Sequence, residues 1–519
     1  MCKRKFILAI QLFITVAVHA QVNPDEIQLV IKTSRPEIHL QYPDHIKQFY
    51  FINNYNYVWL NSRSNIKSLL NVLQSSEVLG LNKDEYQSEL IQSLGNTGFI
   101  RPARQDSLIM EICLTDAAIH FFSDIAYGNR KVLLGYNGLN YKPDCFDIPQ
   151  LVANAIEKNR LAALVNELEP DLAGYGTLKD WLILLNQSVK DSSFNEIKVT
   201  STRVDKNNIP LVNRLYYLGI IDSLNAAVTD AWIKGKVRSA QRLFNLTADG
   251  ILLKSTLAEL NTPIAIRLAE LKMAINTIRW LRCMGMHATV FVVNIPSANL
   301  MVISYGKIIL QSKVIVGKQS TPTPTLAGTI TDVVLYPYWT VPDKIATREL
   351  LPLIKRNPGY LAANNMQVLD KAGRLVNAGS INWSSLSASW FPYTLRQSTG
   401  CDNSLGIVKL NFYSPYGVYL HDTPWKVLFN FNKRYFSHGC MRVEKAIELA
   451  HFLLKDNTIA IDTLEEKGCV RHQAPLPIPV KDKINLLVVY NTAWFDSSGV
   501  VQFNDDIYRK NTLQIEKKF

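Results

Sequence analysis

The chain has 519 residues, 47% of them hydrophobic, and carries 56 Lys+Arg against 44 Asp+Glu. That length calls for several domains, each with its own core. The positive excess is spread without a dense basic run, which argues against nucleic acid and leaves attraction to an anionic polymer no better favoured than ordinary solvated faces. Seven cysteines at irregular spacings exclude a small disulfide scaffold and a zinc knuckle.

Residues 1–20 read as a secretory signal peptide. Lys3, Arg4 and Lys5 precede an apolar stretch from Phe6 to Val18, too short to span a bilayer, and Val18-His19-Ala20 gives a cleavage site before Gln21. An exported, soluble protein is the expectation. Cys2 leaves with that segment. Of the other cysteines, Cys145, Cys401 and Cys469 read as loop thiols able to pair in an oxidising compartment, with connectivity left open.

From 21 to 200 the pattern is helical, with Ile66, Leu69, Leu70 and Leu73, then Leu114, Ala117, Ala118 and Phe121, at three-four spacing. With the aromatic clusters Phe49-Tyr50-Phe51 and Tyr57-Val58-Trp59, this predicts a packed structural scaffold. Residues 201–265 form a second unit of three short helices, around Leu211–Leu218, Val237–Phe244 and Leu253–Leu260, with Asp249-Gly250 as a turn. A linking helix over 266–288 presents Leu268, Leu271, Ile275, Ile278 and Leu281 on one face.

The period then changes. Over 289–470, branched and aromatic runs at Thr289–Ile295, Leu300–Ser304, Lys307–Val316, Val333–Tyr336, Ile407–Tyr413 and Val418–His421 predict strands. An insertion over 343–395 reads as mixed helix and loop, a lid candidate beside a site. A helix follows through Ala446, Ile447, Ala450 and Leu454. In 471–519, Pro475, Pro477 and Pro479 predict a stiff connector. Leu486–Tyr490 and Val500–Phe503 then predict two closing strands joined by Asp496–Gly499, followed by a tail.

The run Ser437-His438-Gly439-Cys440-Met441-Arg442-Val443-Glu444, with His421 upstream, carries the chemistry. A thiol of ordinary pKa, about 8.5, is only a few per cent ionised near neutrality, and a neighbouring imidazole can take its proton and return it to a departing amine. Gly439 permits close approach, and its N–H can face an oxyanion. The helix after Cys440 places a favourable dipole near the thiolate. A rival reading has Cys440, His438 and His451 ligating zinc, but the spacing fits structural zinc patterns poorly.

Two stretches carry a resemblance. Pro415-Tyr-Gly-Val-Tyr-Leu-His-Asp-Thr-Pro424, then Arg434-Tyr-Phe-Ser-His-Gly-Cys-Met-Arg-Val443, closely resembles the catalytic domain of the L,D-transpeptidases (YkuD type), in their large periplasmic form. Val316-Gly-Lys318, Thr321-Pro-Thr-Pro324, Pro337-Tyr-Trp-Thr-Val-Pro342 and Phe391-Pro-Tyr-Thr-Leu-Arg396 match as well. Residues 201–265 resemble a peptidoglycan-binding three-helix module with degraded Gly-Pro-x-Thr segments, so a spacer is as good a reading as a binder.

The resemblance implies a multidomain α+β chain. A helical scaffold and a three-helix wall-binding-like module precede a mostly β catalytic domain with an inserted lid. It implies a 3→3 cross-link between peptidoglycan stem peptides, made through a thioester with release of D-alanine. No metal or cofactor is needed, carbapenems inhibit, and the location is the periplasm at the cell wall. By position, Cys440 is the nucleophile and His421 the general acid/base. His438 and Gly439 frame the site, and the N–H groups of Gly439 and Cys440 form the oxyanion hole. The Asp422 carbonyl orients the imidazole. Arg442 anchors the loop or a substrate carboxylate, Ser437 hydrogen-bonds within the turn, and Trp339 and Tyr338 line the donor cleft or pack in a core. Water in place of the acceptor amine would make the protein an L,D-carboxypeptidase or hydrolase. A decayed catalytic domain would leave a non-catalytic wall-binding protein.

Overall fold

The computed structural model describes residues 24–33, 40–86, 91, 104–172, 174–190, 197–224, 229–455, 464–496 and 498–511. The signal-peptide segment and the tail beyond 511 lie outside them.

The N-terminal region is helical, as the periodicity predicts. Helices at Arg63–Gln74, Arg104–Tyr127 and Ile148–Glu157 start or turn on local signals. Ser62 accepts from the Asn65 N–H, and Asp147 accepts from the Gln150 N–H with proline in the following first turn. Their inner faces close over Phe49, Tyr50, Trp59, Phe121 and Phe122, all fully buried. Buried acids lie in this region too: Asp124 accepts from the Tyr86 hydroxyl at 2.5 Å, and Glu111 is fully buried. The Glu111 carboxylate accepts the backbone N–H groups of Val58, Trp59 and Leu60 at 2.5–3.2 Å, which satisfies a charge that would otherwise be expensive to bury.

The three short helices fall at Ile209–Tyr217, Asp230–Leu243 and Lys254–Leu260. Gln241 seals their turn: its side chain donates to Asp249 Oδ1 at 2.8 Å and the Ile251 carbonyl at 2.9 Å, and accepts the Gly250 N–H at 2.8 Å.

The next helix, Ile264–His287, departs from the sequence expectation. A one-sided amphipathic linker is predicted, yet Arg267, Glu270, Asn276, Thr277 and Arg279 on its other faces are buried too. It packs against helices of the N-terminal region and against strands of the C-terminal region. On one side it packs against the helix Tyr175–Val189, where the Tyr175 hydroxyl accepts from Arg279 Nε at 3.0 Å; on the other, Glu270 accepts from Thr492 at 2.9 Å. Arg267 pairs with both Glu270 and Glu259, so the buried cation is compensated. A disulfide between Cys145 and Cys283 ties this helix to a loop 138 residues earlier. Cross-linking a loop that long restricts the unfolded chain, so the double variant Cys145→Ser/Cys283→Ser is expected to lose about 2–5 kcal/mol in urea denaturation.

The C-terminal region is mostly β. Its main sheet runs in the order 326–335, 408–412, 420–421, 441–443, 307–317, 299–304, 289–294, 476–489, and the last strand pairs again with 326–335, closing the sheet into a barrel. Three local expectations are corrected. Leu476–Val489 is one long barrel strand, with Pro477 and Pro479 opposite Val334 and Asp332 rather than in a connector. The turn at Asp496 and Gly499 joins Ala493–Phe495 to Val501–Phe503, a separate hairpin. The insertion also contains a sheet: Met366–Leu369, Leu375–Val376 and Thr394–Gln397 pair with one another and with Trp339–Thr340. Leu350, Ile354, Val368, Trp383 and Leu395 give it a core of its own.

Candidate active site

Strand alternation builds the site. In a paired ladder, directly opposed residues project to the same face, and residues two apart on one strand share it. Lys409 opposes His421 across one antiparallel pair, and His421 opposes Arg442 across a parallel pair. These three side chains therefore form a row across three neighbouring strands. Tyr419 lies two residues before His421 and Cys440 two before Arg442, so both belong to the same face. The alternate residues Leu410, Leu420 and Met441 point the other way and are fully buried in the barrel core.

His421 is buried, and its Nδ1 lies 2.6 Å from the Asp422 carbonyl oxygen. A carbonyl can only accept, so Nδ1 carries the hydrogen and Nε2 keeps the lone pair a base needs. Burial, reinforced by the Arg442 guanidinium, pushes the imidazole down to about 3, so the resting ring is neutral. The Asp422 carboxylate is held in turn by Lys426 Nζ at 2.5 Å and the Ile407 N–H at 3.1 Å.

Cys440 is a free thiol. Burial pushes its pKa up, while hydrogen bonds from the Tyr419 backbone and side chain, and the charges of Lys409 and Arg442, oppose that rise. The expected help from a helix terminus is not there. The strand Met441–Val443 separates Cys440 from the helix Ala446–Leu453, and the dipole acts only within about the first turn. Resting thiol and resting imidazole are thus both neutral.

The loop before the cysteine is held by its own polar groups. Ser437 Oγ donates to the Cys440 carbonyl at 2.5 Å and accepts the Gly439 N–H at 3.1 Å. Thr323 Oγ1 donates to the Gly439 carbonyl at 2.8 Å and accepts the Gly317 N–H at 2.9 Å, while Tyr508 donates to the Gly317 carbonyl at 2.5 Å. The Gly439 N–H is therefore occupied, which corrects its assignment as an oxyanion donor. The Cys440 N–H has no partner among the described residues. Gly439 itself holds φ at +116°, where L-residues are strained, although a Cβ would meet nothing nearer than 3.6 Å. Gly439→Ala is expected to cost roughly 1–3 kcal/mol in thermal melts through backbone strain alone and to slow acylation of Cys440.

His438, Tyr338 and Trp339 make their contacts toward the insertion, whereas Arg442 stays on the face of Cys440. His438 Nε2 lies 2.9 Å from Glu349 Oε1, on a π-helical turn (Ala346–Leu350) of the insertion, so this imidazole joins the nucleophile loop to the insertion. Arg442 sets its guanidinium 5.2 Å from the Trp425 ring centroid, and Tyr338 lies beneath Arg396 at 4.3 Å. Trp339 packs on the insertion's core, so its contacts, like those of Tyr338, run to the insertion rather than to a donor cleft. Tyr419 and Lys409 were missed in the sequence. Alternation from His421 alone finds Tyr419; Lys409 needs the strand pairing.

Residues 288–461 match the family model of the L,D-transpeptidase catalytic domain (YkuD), and residues 44–182 match that of a scaffold domain. A Haemophilus influenzae protein named "Putative L,D-transpeptidase" is 37% identical over 235 residues, which is 45% of this chain and 47% of that protein. The match thus spans about half the length of that curated relative. Among solved structures, an L,D-transpeptidase from Mycobacterium smegmatis is 16% identical, covering 38% of this chain and 58% of that one, with a TM-score of 0.18. An L,D-transpeptidase in complex with imipenem is also 16% identical, covering 39% of this chain and 59% of that one, with a TM-score of 0.19.

Proposed function

We propose, from the premise that residues 288–461 form the catalytic domain of an enzyme of the L,D-transpeptidase family, that the chain joins peptidoglycan stem peptides by 3→3 cross-links in the periplasm. The observation that carries this reading is the single strand face on which Cys440, Tyr419, His421 and Arg442 stand together.

His421 Nε2 takes the thiol proton as Sγ attacks the carbonyl of the third residue of a donor tetrapeptide. The developing oxyanion is met by the free Cys440 N–H, and one such donor is worth about 10²–10³ in rate. The imidazolium then returns the proton to the nitrogen of the leaving D-alanine, and a thioester remains on Cys440. An acceptor's side-chain amine attacks the thioester, loses its proton to His421, and the new amide releases the thiol. Arg442, propped on Trp425, offers its planar guanidinium to a stem-peptide carboxylate. The insertion, joined to the nucleophile loop through Glu349 and His438, serves as the lid that favours amine over water.

Incubation with purified tetrapeptide muropeptides, with products resolved by mass, tests the reading. Dimers lacking one D-alanine are the expected products. Tripeptide alone would replace transfer by hydrolysis.

A further inference from the structure

Two cations share the face of Cys440, and among the described residues no acid lies within ion-pairing distance of either. Arg442 has the Trp425 ring for company, and Lys409 Nζ sits 4.2 Å from the centroid of Tyr419. The acid felt by Lys409 is Asp332, whose carboxylate is already engaged by Asn411 Nδ2 at 2.6 Å and by the Thr331 hydroxyl at 2.7 Å. Burial draws the Lys409 ammonium below its ordinary range, the direction expected of a cation lacking a full counter-charge. A partly buried cation kept without a partner is costly unless an anion arrives to meet it.

The register says where that anion sits. Lys409, His421 and Arg442 stand in a row on adjacent strands about 4.8 Å apart, with the imidazole in the middle. In the proposed reaction His421 hands its proton to the leaving D-alanine nitrogen, and that residue's carboxylate is only one carbon away from that nitrogen. The carboxylate must therefore lie beside the imidazole, within reach of its flanking cations. Lys409 lies over Tyr419, whose side chain hydrogen-bonds the nucleophile, which places the ammonium on the side of the reacting sulfur.

We infer that Lys409 binds the terminal carboxylate of the donor peptide and makes the site selective for a peptide with a free C-terminus. The inference rests on the reaction proposed above. Its test compares two tetrapeptide donors, one ending in D-alanine and one in D-alanine amide, with the wild type, Lys409→Met and Lys409→Arg. A charge-assisted contact of this kind is worth roughly tenfold to a hundredfold, so wild-type kcat/KM should favour the free acid by that factor. In Lys409→Met the preference should collapse toward one, chiefly through loss on the free acid, and Lys409→Arg should restore part of it. Thermal melts check that the variants fold. Equal losses on both donors in Lys409→Met would overturn the inference in favour of a purely electrostatic effect on the thiol, and an unchanged preference would overturn it outright. A wild type active on both donors alike sinks this inference alone. A wild type inactive on both sinks the proposed reaction, and the inference with it.

Discussion

Cys440→Ala is expected to take up no carbapenem at all, while wild-type protein gains the mass of one molecule. Cys401 and Cys469 are free and more exposed than Cys440, so simple accessibility would send an electrophile to them first. The expected selectivity comes instead from the surroundings of Cys440: a neutral base on the same strand face, a backbone N–H without a partner among the described residues, and the charges of Lys409 and Arg442 acting on the sulfur. Removing the sulfur removes the bond, and the half-buried position tolerates the smaller side chain, so a melting temperature within a few degrees of wild type should accompany the loss. A variant that folds and still gains the full adduct mass would move the nucleophile elsewhere.

His421→Ala is expected to slow acylation by about 10²–10⁴, the usual contribution of a positioned general base. The pH dependence gives this prediction a second edge. Because burial holds the folded imidazole at about 3, the base stays competent well below the usual histidine range, and no acid limb near pH 6.5 should appear in the wild-type acylation rate. The same shift acts on stability. Between about 6.5 and 3 the unfolded chain binds a proton at His421 that the folded chain refuses, so stability falls as pH falls, by about 1.4 kcal/mol per pH unit from this group. His421→Ala should lose that slope. Urea titrations of the two proteins from pH 7 to pH 4 check it, and parallel slopes would contradict the buried neutral ring.

The legible parts of the site were those written in contiguous residues. Cys440 and His421 stand in motifs whose thiol and imidazole chemistry is local, and Asp422 follows His421 directly, so its carbonyl was a natural partner for the ring. Lys409 was not legible. It faces His421 only because two strands pair across the intervening loop, and no periodicity within either strand encodes that register. The occupied Gly439 N–H was equally hidden, since it depends on which rotamer Ser437 adopts inside a three-residue turn.

For the fold, long helices and apolar strands declared themselves through period. The failures came from short or doubly covered elements. Strands of two to four residues in the insertion leave too little alternation to detect, and proline in Leu476–Val489 imitates a linker although Pro477 and Pro479 lie where the strand pairs on one side only, with 326–335, the edge situation that tolerates proline. Ile264–His287 read as amphipathic, yet its polar face is covered as well. Arg267 pairs with Glu259 and Glu270, and Arg279 donates to Tyr175, partners that only the tertiary structure brings to them.

The most direct measurement is capture of the donor on the enzyme itself. Wild-type protein mixed with tetrapeptide donor, without acceptor, and quenched in acid should show an intact-mass gain equal to the donor minus D-alanine. Peptide mapping should place that gain on Cys440 as a hydroxylamine-labile thioester. Release of D-alanine with no covalent intermediate, or an adduct mapped to any other residue, would contradict the account.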